Sequence, residues 1–588
     1  MGVKRSMFGM LAALAALSAC ATPQSAPRAP APVEVKIIAF NDFHGALEPP
    51  RMSVPATTDA GTVQVPAGGA AYFATAVRAL RDANPNHVVV AAGDLISASP
   101  LVSAQFLDEP TILAMNMIGL DFNALGNHEF DRGREELLRM QHGGCERHTA
   151  LQPCRIDADF PGASFGFLAA NVRTEDGNTL FPAYAIRRFG SGAGEVAVGI
   201  IGLPLKETPA HVTPAGVAGL TFDDEADSIN ALIPRLRSEG ADAIVVVIHQ
   251  GVSTEAGYED RTCRGMDGEL MPILARLDPA VDLVVSGHTH NAYICDYGRL
   301  DPARPFLVTS AGRSGTMLTD ITLTIDPVAG RVVSRRAEPV IVQGEGYRGS
   351  AGEVALTDAR PRFAADAPVG ALVRRYAAAA APIAARTVGR LAGPAPRGPN
   401  DAGESTLGYL IADAQLAATR AAEAGGARIA FMNIGGVRTD LIPGADGGIS
   451  YGQIFAVQPF GNGLVVKTMT GAQIRALLEQ QFVAPNGGDR PAILMPSHGF
   501  TYSYDMTRPQ GQRIVSVSFD DAPLRDDASY RVTMNSFLAT GGDGLTLFRE
   551  GTDAVGGAQD VDALEAYLSG TARIAPPAGG RVTRLDRR

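Results

Sequence analysis

Positive charge is in short supply in this sequence. Its 588 residues hold 51 lysines and arginines against 62 aspartates and glutamates, a net charge of −11 with neutral histidines and a pI near 5.5. Broad binding of nucleic acid usually needs a basic field, so the balance argues against that class, and an anionic substrate has to be captured by local cations. Charged residues make up only 19% while hydrophobic ones reach 46%, which excludes a disordered chain and predicts well-filled cores. The apolar stretch from residue 7 to 17 is too short to cross a bilayer as a mature helix. Cysteines number five and histidines ten, so the place of each one carries information.

What is present at the start is Lys4 and Arg5, that apolar stretch, and then Leu17-Ser18-Ala19-Cys20, which together read as an export signal over residues 1–20. The small residues before Cys20 resemble a bacterial lipoprotein cleavage site. On that reading Cys20 becomes the lipidated first residue and the sole membrane attachment, with Ala21 beside it fitting sorting to the outer membrane; the alternative is ordinary secretion with cleavage nearby. The Pro- and Ala-rich residues 21–32 read as a stiff tether. Four cysteines remain for an oxidising compartment, the periplasm or the outer-membrane surface. Cys145 and Cys154 can close a short insertion and Cys263 and Cys295 can clip two loops, one of three pairings the sequence leaves open. A chain of this length exceeds one core. We expect a first domain over 33–345, a linker and connecting helix over 346–386, and a second domain over 387–588.

Five strand-like runs in the first half lead into metal-type side chains. Residues 36–40 lead to Asp42 and His44, and 87–92 to Gly93-Asp94. Leu125 opens Gly126-Asn127-His128-Glu129-Phe130-Asp131; residues 243–248 lead to His249, and 282–285 to Ser286-Gly287-His288-Thr289-His290. Amphipathic stretches at 70–82, 111–118 and 226–238 alternate with these runs, predicting layered α/β with a largely buried sheet. In an open α/β sheet, side chains at the carboxyl ends of the strands converge on one crevice. Two divalent ions about 3.5–4 Å apart need a shared carboxylate, several imidazoles and oxygen donors. Asp42, His44, Asp94 and His290 suit one ion, and Asp94, Asn127, His249 and His288 the other, with Asp94 as the bridge. The spacing of two in Asp42/His44 and His288/His290 aims both side chains of each pair the same way. The remaining histidines, His87, His142, His148, His211 and His498, read as structural or surface. This order of ligands resembles the calcineurin-like metallophosphoesterases.

In the second half, Ser405 ahead of an apolar periodic run reads as a helix start. Gly-rich turns follow at Asn433-Ile434-Gly435-Gly436-Val437-Arg438, at Gln458-Pro459-Phe460-Gly461-Asn462, and from Asn535 to Gly544. Together with Arg397 they set guanidinium, two phenylalanines and an aspartate on loops that a flat ligand can approach. That combination offers planar faces for a base, acceptors for ribose hydroxyls and a grip for phosphate.

On these motifs the whole mature chain resembles the bacterial periplasmic 5′-nucleotidase/UDP-sugar hydrolase family, itself similar to animal ecto-5′-nucleotidase. The resemblance implies a layered α/β metallophosphoesterase domain followed by a second α/β (α+β) nucleotide-binding domain. It implies two divalent ions, Zn, Mn or Co, on Asp42, His44, Asp94, Asn127, His249, His288 and His290, and a catalytic dyad at His128 and Asp131. The nucleoside then falls to Arg397, Asn433, Arg438, Phe460, Asn462, Phe537 and Asp543. Some members carry a second arginine near the Arg397 position, for which this sequence shows no counterpart. The implied activity is release of phosphate from nucleoside 5′-monophosphates, with UDP-sugars and other nucleotide anhydrides as further substrates. Two other functions fit the same motifs: a 2′,3′-cyclic-nucleotide 2′-phosphodiesterase/3′-nucleotidase, and a non-catalytic nucleotide-binding lipoprotein.

Overall fold

The computed structural model describes residues 1–2, 30–59, 61–212, 214–349, 352–483, 491–570 and 572–587. The export signal expected at 1–20 (beyond its first two residues), Cys20 and most of the 21–32 tether lie outside the described residues. Among the described residues no helix is long and apolar enough to cross a membrane.

Where the sequence suggested one buried sheet, the first half builds two. Five of their strands lead to the candidate ligands: β1 (Val33–Phe40), β2 (His87–Ala92), β3 (Phe122–Ala124), β4 (Ala243–His249) and β5 (Leu283–Ser286). The first sheet runs Arg331–Ile341, Met317–Asp326, β1, β2, β3, Gly166–Leu168, and the second Ala292–Asp296, Leu307–Ala311, β5, β4, Val196–Pro204, Tyr184–Phe189. Within them β1, β2 and β3 are mutually parallel, as are β4 and β5. Residues 35–40 of β1 are buried on both faces, hence the unbroken apolar run. Val35, Ile37 and Ala39 enter a core shared with Val88 and Val90 of β2, Val245 and Val247 of β4, and Val285 of β5, while Ile38 and Phe40 point the other way into the helical layer. Each such valine or isoleucine contributes about 1.5–3 kcal/mol by leaving water. A single-sheet reading fails because a strand covered on both faces looks the same whether a helix or a second sheet covers it.

The helices follow their amphipathic periods: Ala70–Asp82, Glu109–Ile118 and Glu225–Ser238, the last started by Asp224 accepting from Asp227 N at 3.1 Å. The connecting helix, Ala367–Ala384, is more than a link. Its residues Val369, Leu372, Val373, Tyr376 and Ala380 recur at helical spacing and are buried in the first core.

The second half has its own core, including Leu407, Leu410, Phe431, Ile474 and Met534. Its main sheet runs Met495–Pro496, Ile429–Met432, Ser529–Asn535, Gly463–Thr470, Thr552–Gln559. Ser405 caps the helix Thr406–Thr419 by accepting from Gly408 N at 3.1 Å. Of the three cysteine pairings, the structure has Cys145–Cys154 and Cys263–Cys295.

Candidate metal centre and interdomain cavity

The loops leaving β1, β2, β4 and β5 bring their polar residues to one end of the two-sheet stack. Asp42, His44, Asp94, His288 and His290 all take positive φ, between 48° and 70°, a backbone region that non-glycine residues rarely adopt and that costs roughly 1–3 kcal/mol each. The cost is borne where the side chains must turn inward. Asp42 Oδ1 lies 3.3 Å from His290 Nε2 and 3.8 Å from His44 Nε2, and the two imidazole nitrogens are 3.2 Å apart. Asp94 Oδ2 lies 3.0 Å from His249 Nε2 and 3.6 Å from His44 Nε2, placing Asp94 between two groups of donors. Those groups, Asp42/His44/His290 and Asp94/His249/His288, can each hold a metal ion. Asn127 Oδ1 joins the second, 3.1 Å from His288 Nδ1.

The donor set fits cations. Asp42 Oδ1 is buried, and a carboxylate oxygen that faces two imidazoles away from water needs a positive charge. Burial disfavours charge on His249, yet Asp94 and then Asp42 outweigh it and push its pKa up to about 10. Burial holds His44 and His288 well below the usual histidine range, so both are neutral and have a lone pair to donate. The imidazoles are steered from behind: His44 Nδ1 lies 3.1 Å from Ser97 O and His249 Nδ1 2.7 Å from Ala92 O.

Two neighbours hold Asp94 in place. A Cβ on Gly126 would meet Asp94 Oδ1 at 2.2 Å, so only glycine lets the two loops approach. Glu129 accepts from Asp94 N at 2.9 Å, Leu95 N at 2.7 Å and Gly126 N at 2.6 Å, tying the loops after β2 and β3 together. Burial, then Asp94, raises the Glu129 carboxyl to about 7. In the sequence this glutamate stands inside the motif with nothing to mark its role.

His128 Nδ1 and Asp131 Oδ2 are 2.8 Å apart. The His128 ring stacks on Phe460 of the second half, centroids 5.5 Å apart at 18°, and Arg438 covers Phe460 with its guanidinium carbon 5.6 Å from the centroid. A cavity of about 250 Å³ opens here, walled by Asn127, His128, Asp131 and His288 on one side and by Asn433, Arg438, Phe460, Asn462, Phe537 and Asp543 on the other. Asn433 donates to Asp543 Oδ2 at 2.7 Å and accepts from Asn535 Nδ2 at 3.1 Å, so its amide orientation is fixed. Arg397 is not among the residues lining this cavity; its Nε donates to Val437 O, the residue before Arg438, and its charge reaches Arg438.

His211 corrects the structural or surface reading. It lines the cavity, with its ring edge-on to His288 at 5.2 Å, on the helix Thr208–His211 that touches the 542–544 turn. The apolar strand Val196–Pro204 ends seven residues before it, too far upstream for the strand-end signal that found the other histidines.

Paired sheets whose strand ends carry two carboxylate–imidazole clusters define a calcineurin-like phosphoesterase, and the profile of that family matches residues 35–292. The profile described as 5′-nucleotidase, C-terminal domain, matches residues 385–550. A cell wall protein of Listeria monocytogenes is 31% identical over 91% of this chain and 67% of its own length. A bovine (Bos taurus) 5′-nucleotidase is 25% identical over 94% of this chain and 91% of its own. The crystal structure of a 5′-nucleotidase precursor from Thermus thermophilus superposes with a TM-score of 0.71 at 26% identity, covering 95% of this chain and all of the other. The chain belongs to the 5′-nucleotidase family, as a phosphohydrolase in which calcineurin-like and 5′-nucleotidase C-terminal domains are joined.

Proposed function

We propose that this protein is an exported enzyme releasing phosphate from nucleoside 5′-monophosphates, with UDP-sugars and other nucleotide anhydrides as further substrates. The observation that carries this reading is the shared cavity: the metal-type donors and the aromatic, amide and carboxylate groups suited to a nucleoside face the same space. Asp42, His44, Asp94 and His290 would hold one divalent ion and Asp94, Asn127, His249 and His288 the other, with Zn, Mn or Co as candidates. When bound, the ions supply Lewis acidity and offset charge on the phosphoryl oxygens. His128, oriented by Asp131 through Nδ1, keeps Nε2 for the leaving oxygen, to which it gives hydrogen-bond support or a proton. Arg438 and Arg397 bind phosphate, Phe460 and Phe537 take the two faces of the base, and Asn433, Asn462 and Asp543 bond to base and ribose. Two disulfides and likeness to a cell wall protein support export, and the N-terminal signal with Cys20 supports a periplasmic or outer-membrane lipoprotein.

The test is turnover of AMP, UDP-glucose, 2′,3′-cyclic AMP, NAD and p-nitrophenyl phosphate by metal-reconstituted protein. AMP and UDP-glucose should be cleaved and a chelator should stop both. Stacking is worth about 1–3 kcal/mol per base, so Phe460→Ala and Phe537→Ala should each lower kcat/KM for AMP by roughly fivefold to more than a hundredfold. The synthetic ester and the melting temperature should be spared. Preference for the cyclic nucleotide, or equal loss on AMP and the synthetic ester, sinks the assignment.

A further inference from the structure

Arg313 follows the strand Leu307–Ala311 by two residues, as Asp42 follows β1 and Asp94 follows β2. Its Nη1 lies 3.3 Å from His290 Nδ1, on the side of that ring away from Nε2, which faces Asp42 and His44. Two further guanidiniums reach the same region from the second half. Burial, then Arg313, holds Arg397 below the usual arginine range; burial, then Arg397, pushes Arg438 down to about 10, with Arg313 adding to it. Among the described residues none of the three is in an ion pair, whereas the buried Arg139 is matched with Glu109 and Glu136, and the half-buried Arg581 with Asp413. Three half-buried guanidiniums brought together without an ion-pair partner form a site that an anion would complete.

We propose that Arg313 is a phosphate-binding arginine contributed by the metal-bearing half, and that with Arg397 and Arg438 it holds the additional phosphate of nucleoside diphosphates and pyrophosphate-linked nucleotides. It deepens the nucleotide-hydrolase reading, on which it rests.

Calorimetry on the metal-loaded protein, with the methylene-bridged analogue of ADP as the non-hydrolysable probe and adenosine as the control, tests it without turnover. Arg313→Ala should weaken the analogue by about tenfold or more, leave adenosine affinity in place, and keep two ions per chain by elemental analysis. KM for AMP should change by less than about threefold. Arg313→Gln, which keeps the polar reach without the charge, should behave like the alanine variant, and Arg313→Lys should recover part of the loss. Unchanged analogue affinity, equal losses for the analogue and AMP, or loss of metal overturns the proposal, the last by making Arg313 a support for His290. A wild-type protein that binds metal but neither nucleotide overturns the nucleotide reading instead.

Discussion

Asp560 shows how much a single carboxyl can be asked to do outside the metal centre. It opens the helix Asp560–Ser569, is 1% exposed, and its N–H donates to Asn462 O at 2.8 Å, while its side chain bonds to Val561 N and to the Asn462 amide. Burial raises its pKa to about 7 against those bonds. In the unfolded chain an aspartate titrates near about 3.9. Between roughly pH 4 and pH 7 the folded protein therefore holds more protons than the unfolded one, and stability falls as pH rises through that window. Asp560→Asn cannot titrate and should escape this loss, which is on the order of a few kcal/mol. The melting temperature of the variant relative to wild type should thus climb between pH 4 and pH 7, whatever constant offset the changed bond to Asn462 adds. A difference that stays flat across that range counts against the assignment.

At the scale of elements, the centre depends on how closely two loops pass. The turn after β2 carries Asp94 and the turn after β3 carries Gly126 and Asn127, and Glu129 closes them on each other through three backbone amides. Gly126 has no positive φ, so its backbone does not demand glycine; what forbids a Cβ is Asp94, whose Oδ1 it would meet at 2.2 Å and whose backbone N at 2.5 Å. Gly126→Ala should therefore push Asp94 away and weaken metal binding by about 10–100-fold, the size of effect seen when groups that support ligands are disturbed. Far-ultraviolet circular dichroism should stay unchanged because no strand or helix residue is altered. Competition with a chromophoric chelator reads this directly, and wild-type metal affinity in the variant would contradict it.

For the whole molecule, the cavity exists only because two domains meet. His128 stacks on Phe460, Arg438 lies over the same ring, and the helix Thr208–His211 touches the 542–544 turn across the junction. The proposed nucleoside pocket faces the metal-type donors across this closed junction, so substrate entry and product exit should need the halves to part. A reversible cysteine crosslink between that helix and that turn should stop steady-state turnover, and reductant should restore it. Undiminished turnover by fully crosslinked protein would show that parting is unnecessary.

The sequence by itself determined the class of fold, the chemistry of the candidate donors and several elements almost to the residue, such as the helix Ala70–Asp82 and the Ser405 cap. These are local properties: amphipathic period, capping oxygen and ligand type are carried by neighbouring residues along the chain. Only the tertiary structure decided that the strands form two sheets, which cysteines pair, that Glu129 binds the Asp94 loop, and that His211 and Arg313 stand at the site. Arg313 meets His290 across 23 residues and shares its field with Arg397 and Arg438, 84 and 125 residues further on. Nothing next to an arginine in sequence distinguishes a solvated charge from one held against two others, because that difference is made by the dielectric and the neighbours that folding brings.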